Sequence, residues 1–165
     1  MDPQQAKALA DFLTADFERE IPATLKVIGA VPSDNLTYRP DEKAKTALGL
    51  VRHLALEDEW LLNSIADGAF GQPPDDSDAC GVMNPADAVA RYQEKVPAAL
   101  NRLRSLTGEQ LAKVIDLFGM VQAPAAVFIT MATKHSVHHR GQLSTYIRPM
   151  GGKVPGIYGP SADTQ

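Results

Sequence analysis

Four long stretches of the chain carry an apolar residue at every third or fourth position, and connections rich in proline and glycine separate them. This period is that of an α-helix with one apolar face, which becomes stable when it is buried against other helices. The apolar face of the first stretch is formed by Leu9, Phe12, Leu13, Phe17, Ile21, Leu25 and Ile28. Because no stretch shows a convincing strand pattern, the sequence predicts an all-α protein with the fold of a four-helix bundle.

Proline, glycine and capping residues indicate where the helices begin and end. The four predicted long helices span residues 3–29, 43–67, 85–105 and 124–148. Pro22 lies inside the first helix and is expected to kink or split it, because proline lacks the amide hydrogen that a helix needs. A capping box from Thr107 to Gln110 predicts a short additional helix before the last long one. The apolar residues assigned to this short helix are Leu111, Val114, Ile115 and Phe118.

The connection between the second and third predicted helices is long and covers residues 68–84. When extended it spans about 50 Å, which is enough to cross the length of a helix. A crossover of this kind permits the second and third helices to run parallel, whereas a short loop would force them to be antiparallel.

A chain of 165 residues is typically one domain. We therefore expect a single domain over residues 1–165, with residues 151–165 as a C-terminal tail. This tail is rich in glycine and proline but also contains Val154, Ile157 and Tyr158, which a disordered segment would usually lack. We expect residues 153–160 to pack against the bundle near the end of the fourth helix.

Charge and composition argue against several classes of protein. The formal net charge is −4 and lysine and arginine are not clustered, which argues against nucleic-acid binding. No signal-peptide pattern is present, and no apolar run approaches the roughly 20 residues of a membrane span. The single cysteine, Cys80, cannot form an intramolecular disulfide, which fits a reducing compartment. We therefore expect a cytoplasmic protein that binds neither nucleic acid nor a membrane.

Residues 135–142 contain three of the four histidines of the chain. His135 and His139 are four residues apart, so a helix places both imidazoles on one face, about one turn apart. Two imidazoles in this arrangement can bind one divalent cation together, and His53 from another helix would complete a three-histidine site with open coordination positions. A solvated helix face and a hydrogen-bonded polar core are alternative interpretations of the same spacing.

Two further polar residues share a helix face with these histidines. Gln142 continues the face of the histidine pair, where its amide is placed to hydrogen-bond a substrate or a bound water. Glu57 follows His53 by four residues and would orient a ligand, act as a general base or bind the metal. A polar residue at the rim of the bundle is an equally good interpretation of Glu57.

The remaining charged and polar residues near the motifs are assigned to other roles. His138 projects about 100° away from its neighbour His139 and is not expected to bind the same metal. Asp58 and Glu59 are interpreted as solvated charges. Arg140 lies off the histidine face and is expected to pair with an acidic residue or a helix terminus.

Three motifs together match a known family. They are Arg52-His53-Leu54-Ala55 with Trp60 in the second helix, His-Ser-Val-His-His-Arg-Gly-Gln at 135–142, and the tail segment 155–163. With these motifs, its length and its long crossover, the chain resembles the DinB family of metal-binding four-helix bundles. The resemblance implies an up-down-down-up bundle, a metal triad of His53, His135 and His139, and a homodimer.

The resemblance also suggests a chemistry. Metals in the family include nickel, zinc, iron and manganese, and characterised relatives use the metal to activate a low-molecular-weight thiol. We therefore expect a metal-dependent enzyme that transfers the sulfur of such a thiol to a small electrophile, with Glu57 and Gln142 as catalytic residues. The alternatives are a metal-dependent hydrolase and a non-catalytic metal-binding protein associated with stress.

Overall fold

The computed structural model of the chain describes residues 1–164; Gln165, the last residue of the predicted tail, lies outside the described residues. The described part contains five α-helices and one antiparallel sheet of two strands. These elements are α1 (Pro3–Gly29), α2 (Ala47–Asp67), α3 (Pro85–Arg104), α4 (Gly108–Ala112), β1 (Val114–Leu117), β2 (Val121–Pro124) and α5 (Ala125–Ile147). The prediction of a mostly helical protein is confirmed, and the prediction that strands are absent is wrong.

The four long helices pack in pairs around one apolar core. Helix α1 contacts α3 and α5, and α2 contacts the same two helices. Apolar side chains from all four helices line the core, among them the fully buried Phe17, Leu54, Leu100 and Ile129. None of the helices in residues 1–164 combines the length and the apolar character that a membrane span requires.

Helix α1 continues through Pro22, so the expected split does not occur. Interior proline costs a helix about 3 kcal/mol, but Phe17 before it and Val27 and Ile28 after it are fully buried. Burial of apolar side chains on both sides of the proline keeps the two halves of α1 against the core and offsets this cost.

Helix α2 begins at Ala47, four residues later than predicted. The Thr46 hydroxyl accepts a hydrogen bond of 3.0 Å from the Gly49 amide and caps the helix there. Before it, the Asp41 carboxylate accepts hydrogen bonds from the amides of Lys43 and Ala44, at 2.8 and 3.1 Å. Residues 41–44 therefore form a hydrogen-bonded turn ahead of α2.

The segment after α4 is a β-hairpin. The capping box of Thr107 and Gln110 is present, but α4 ends at Ala112 and the following apolar residues belong to the hairpin. Phe118 and Gly119 both have positive φ angles, 53° and 73°, and the Asp116 carboxylate accepts a hydrogen bond from the Gly119 amide. This turn reverses the chain, so a helix cannot extend through it.

The crossover between α2 and α3 is anchored to α2 by a buried arginine. Arg52 donates a hydrogen bond of 2.7 Å to the Val82 carbonyl and forms an ion pair of 2.6 Å with Asp78. A short 3-10 turn at Asp78–Cys80 lies within this connection. Because Arg52 directly precedes His53, the crossover is attached to α2 next to a candidate metal ligand.

The tail follows α5 and contacts the bundle. Val154 and Ile157 pack against the apolar core, and Asp163 pairs with Arg148 at 2.9 Å. The same Asp163 carboxylate accepts a hydrogen bond from the Val154 amide. These contacts hold the tail next to the end of α5.

Candidate metal centre

Three imidazole rings meet between α2 and α5. His53 lies on α2, and His135 and His139 lie one turn apart on α5. The Nε2 atom of His53 is 3.1 Å from Nε2 of His139 and 3.2 Å from Nε2 of His135. One nitrogen from each of the three rings lies within 4.8 Å of the others, so the group is arranged to share one metal ion.

Each of the three histidines has an oxygen atom on its outer side, next to Nδ1. The distance is 2.7 Å from His139 Nδ1 to Gln142 Oε1 and 3.3 Å from His135 Nδ1 to Asp58 Oδ1. The third contact, from His53 Nδ1 to Glu57 Oε1, is 3.7 Å. Since amide and carboxylate oxygens only accept, His139 and His135 carry their protons on Nδ1, and their Nε2 lone pairs point toward the centre.

Asp58 is a site residue that the sequence interpretation missed. It was interpreted as a solvated charge, but its side chain is fully buried. Its second carboxylate oxygen accepts a hydrogen bond of 2.7 Å from the buried Tyr92 hydroxyl. Asp58 therefore links Tyr92 on α3 to His135 on α5, and together they hold the imidazole ring in place.

The burial of Asp58 could have been predicted from its position in the sequence. It follows Leu54 by four residues and precedes Leu61 by three, so it occupies the apolar stripe of α2. A carboxylate in that stripe must be buried, and a buried carboxylate needs partners. The neighbouring Glu59 is also not a solvated charge, because it is partly buried and pairs with Arg91 at 2.7 Å.

Burial favours the neutral form of two of the clustered histidines, His53 and His139. Burial first, and then the neighbouring His139 and His135, lower the pKa of His53 to about 3. Burial also lowers the pKa of His139, against the opposing effect of its hydrogen bond to Gln142. Burial raises the pKa of Glu57. At neutral pH His53 and His139 are therefore in the unprotonated form, which is the form that binds a metal.

The three nitrogens fit a divalent transition ion. Nitrogens bound tetrahedrally at 2.0–2.1 Å from zinc lie about 3.3 Å apart. The observed separations of 3.1 and 3.2 Å from His53 to its two partners are close to this value. The Nε2 lone pairs of His135 and His139 both face the centre. If His53 carries its proton on Nε2, that proton can be donated to only one of these two lone pairs at a time. A cation at the centre would be coordinated by all three Nε2 atoms, and imidazole nitrogen is a common ligand of divalent transition metals.

The sequence model of the DinB family matches residues 6–165. The chain belongs to the DinB family. Protein YjoA of Bacillus subtilis (strain 168) is 30% identical over 125 residues, which cover 73% of this chain and 77% of YjoA. YrdA of the same organism is 27% identical over 155 residues, 93% of this chain and 90% of YrdA.

Two crystal structures share the fold of this DinB protein at 22% sequence identity. A DinB-like protein from Bacillus cereus ATCC 10987 aligns with a TM-score of 0.73, covering 88% of this chain and 95% of its own. The DinB-like YjoA structure aligns with a TM-score of 0.66, covering 93% of this chain and 99% of its own. Both alignments support a DinB-like arrangement of the helices.

Other residues of the family motifs have structural roles in this DinB chain. The His138 ring contacts the His139 ring, with 4.8 Å between centroids, but His138 does not belong to the three-histidine group. Arg140 is buried and pairs with Glu20 at 2.7 Å, which confirms the expected acidic partner. Tyr158 from the tail donates a hydrogen bond of 2.8 Å to the same Glu20 carboxylate.

An open cavity of about 230 Å³ adjoins the histidine cluster of this DinB protein. Its lining residues are Lys43, Ala44, Lys45, Leu50, His139, Gln142 and Tyr146. The Tyr146 hydroxyl donates a hydrogen bond of 3.1 Å to the Lys45 carbonyl, which joins the segment between the turn and α2 to α5. The cavity gives solvent and small molecules a route to His139.

Proposed function

We propose that this DinB protein binds a divalent transition metal, such as nickel, zinc, iron or manganese, through His53, His135 and His139. The observation that carries the proposal is the convergence of three Nε2 atoms whose rings each have an oxygen next to Nδ1. A hydrogen-bond acceptor behind each ligand ring is the usual arrangement around protein metal sites.

We further propose that the metal site serves an enzyme that transfers a low-molecular-weight thiol to an electrophile. This part rests on membership of the DinB family and on the resemblance to thiol-dependent relatives. When bound, a divalent ion supplies Lewis acidity, which lowers the pKa of a coordinated thiol or water. Three neutral imidazoles do not cancel the charge of the ion, so this effect is retained.

In S-transfer the thiol loses its proton, its sulfur forms a bond to the electrophilic carbon, and the leaving group departs with the bonding electron pair. We propose Glu57 as the group that receives the thiol proton, because its carboxylate beside the cluster is partly accessible, whereas that of Asp58 is fully buried. We propose that Gln142 binds substrate. It lines the cavity, and because its amide oxygen accepts from His139, its amide nitrogen is left to donate a hydrogen bond.

Asp58 and Tyr92 act behind the ligands as positioning residues. The carboxylate accepts a hydrogen bond from the Nδ1–H of His135, and the Tyr92 hydroxyl donates a hydrogen bond that orients the carboxylate. This arrangement fixes the tautomer of His135, so that its Nε2 lone pair stays directed to the centre of the site.

The decisive experiment is elemental analysis of protein purified without an affinity tag. We expect about one equivalent of a transition metal in the wild type and its loss in His53→Ala and His139→Ala. His138→Ala is the matched control, because it removes a neighbouring imidazole outside the cluster and should leave the metal content unchanged. Absence of metal after reconstitution, or equal loss in the control, would refute the proposed site.

The reaction is tested with the metal-loaded protein. Glutathione, bacillithiol and mycothiol are each combined with 1-chloro-2,4-dinitrobenzene, and formation of the thioether is followed. Turnover that requires both metal and thiol supports S-transfer. Metal-dependent cleavage of esters or amides without thiol turnover would favour the hydrolase, and a metal spectrum insensitive to added azide or thiol would favour the non-catalytic protein.

We also retain four structural expectations as proposals. They are a single domain over residues 1–165 with the tail 151–165 packed on it, up-down-down-up helix directions, a homodimer and a cytoplasmic location. The pairing of α1 and of α2 with both α3 and α5 supports a four-helix bundle. Sedimentation at micromolar concentration tests the dimer, and a single species near the chain mass of 17.8 kDa would refute it.

A further inference from the structure

Resting on the proposed function, we propose that the cavity beside His139 is an anion subsite, which selects substrates that carry a carboxylate near the reacting group. Lys43 and Lys45 would bind the carboxylate, while the reacting sulfur approaches the histidine cluster. The substrate class is therefore a small acidic thiol, or the carboxylate end of a larger one.

The charge of the cavity wall is the first observation that supports this assignment. Two of its lining residues, Lys43 and Lys45, are cationic, and no aspartate or glutamate is among the lining residues. None of the ion pairs in residues 1–164 involves Lys43. A carboxylate in the cavity would therefore lie near two ammonium groups, of which only that of Lys45 has a carboxylate partner.

The backbone that carries the two lysines is fixed. The Asp41 carboxylate accepts hydrogen bonds from the amides of Lys43 and Ala44, and the Lys45 carbonyl accepts one from Tyr146. A turn that is already ordered costs less entropy when a ligand binds. The lysine stems thus start from defined positions on one side of the cavity.

Lys45 has a partner that a ligand can replace. Its ammonium pairs with Asp76 on the crossover at 2.7 Å, but both side chains are more than two-fifths exposed. Exposed ion pairs of this kind contribute little, so a carboxylate within the cavity can compete for Lys45. The amide nitrogen of Gln142 adds a third donor to the same cavity.

The size of the cavity limits the ligand. A volume of about 230 Å³ is smaller than the 300–1,000 Å³ of cavities that enclose drug-sized molecules. It suits a short-chain acid, and a peptide-like thiol would place only its carboxylate end there.

The test uses three thiols of similar size and different charge with cobalt-substituted protein. They are 3-mercaptopropionate, 2-mercaptoethanol and cysteamine, which end in a carboxylate, a hydroxyl and an ammonium. Binding is followed by the sulfur-to-cobalt charge-transfer absorption. We expect 3-mercaptopropionate to bind about tenfold more tightly than 2-mercaptoethanol, and cysteamine to bind most weakly.

Lysine variants test whether the stronger binding of 3-mercaptopropionate arises from the cavity. In Lys43→Gln/Lys45→Gln, 3-mercaptopropionate should lose its advantage, while binding of 2-mercaptoethanol and the cobalt content stay unchanged. The control is Lys95→Gln on α3, which removes a lysine outside the cavity that pairs with Glu94. Equal affinity for all three thiols in the wild type, or an unchanged preference in the double variant, would overturn the anion subsite.

A metal-free experiment separates this proposal from the proposed function. If no thiol perturbs the cobalt spectrum, S-transfer at the metal fails, and propionate is then titrated into metal-free protein and followed by NMR. Saturable shifts of the Ala44, Lys45 and Tyr146 amides that disappear in the double lysine variant would support the subsite. Absence of such shifts would overturn it.

Discussion

Asp58→Asn is the substitution that most directly tests the buried support of the metal centre. It removes a negative charge and keeps the size of the side chain. The amide oxygen can still accept from His135 Nδ1, but the bond loses its charge assistance. Hydrogen bonds to charged groups contribute about 1.5–3 kcal/mol and neutral ones about 0.5–1.5 kcal/mol.

The structure sets the expected magnitude. Asp58 is fully buried, so solvent does not screen its charge, but the 3.3 Å to His135 Nδ1 is long for a charge-assisted bond. We therefore expect a loss of about 1–1.5 kcal/mol in metal binding, which is below the largest difference of about 2.5 kcal/mol between a charged and a neutral hydrogen bond. This corresponds to a metal dissociation constant roughly five- to tenfold higher than that of the wild type.

The assay is competition between the protein and a chelator of known zinc affinity at fixed pH. Glu59→Gln is the matched control, because it neutralises the adjacent carboxylate, whose partner is Arg91 rather than a histidine. We expect this control to bind zinc as the wild type does. Unchanged affinity in Asp58→Asn, or equal weakening in Glu59→Gln, would refute the positioning role.

A second measurement separates positioning from a purely structural role. In metal-free protein the Asp58 charge is buried, and exchanging it for a neutral amide lowers the cost of burial. The free energy of unfolding of metal-free Asp58→Asn should therefore be equal to or higher than that of the wild type. A lower value together with unchanged zinc affinity would identify Asp58 as a structural residue only.

Three further predictions concern stability. Thr46→Ala removes the cap of α2 and should lower the free energy of unfolding by about 1 kcal/mol in urea titrations. Thr46→Ser keeps the hydroxyl and should lose only a small part of that free energy. Arg140→Ala leaves the Glu20 carboxylate without its buried partner and should cost about 3 kcal/mol, whereas no measurable loss would show that the pair is not stabilising. Zinc at 100 times its dissociation constant should stabilise the wild type by about 2.7 kcal/mol and raise its melting temperature by roughly 5–10 °C. His53→Ala should show no such rise, and an equal rise would place the zinc elsewhere.

The helices and the histidine cluster could be predicted from local patterns. Apolar residues at helical spacing located the four long helices, and the spacing of His135 and His139 placed two imidazoles on one face. His53 was added as a third ligand because it lies on another apolar-patterned helix, and the structure brings its Nε2 to 3.1 Å from that of His139. These features depend on periodicity, which a single sequence displays directly.

Two other features could not be predicted in this way. One depends on whether a segment forms a helix or a strand, and the other on a contact between residues far apart in the sequence. Val114 and Ile115 fit both a helix and a strand. The turn at Phe118 and Gly119, with its positive φ angles, cannot be part of a helix and favours the hairpin. Asp58 was assigned to the solvent because it is charged, although its position in the apolar stripe of α2 indicated burial. The partner that makes this burial possible is Tyr92 on α3, and its contact with Asp58 cannot be deduced from either segment alone.

The separation of the metal ligands along the chain has a consequence for how the protein matures. His53 and His139 are 86 positions apart, and two intervening helices and a hairpin lie between them. The nitrogen cluster therefore cannot exist until α5 has been synthesised and has docked against α2. Contacts this distant form late because closing a long loop costs entropy before the contact is gained. We therefore expect apolar packing of the helices to come first, and metal to bind once α2 and α5 have docked.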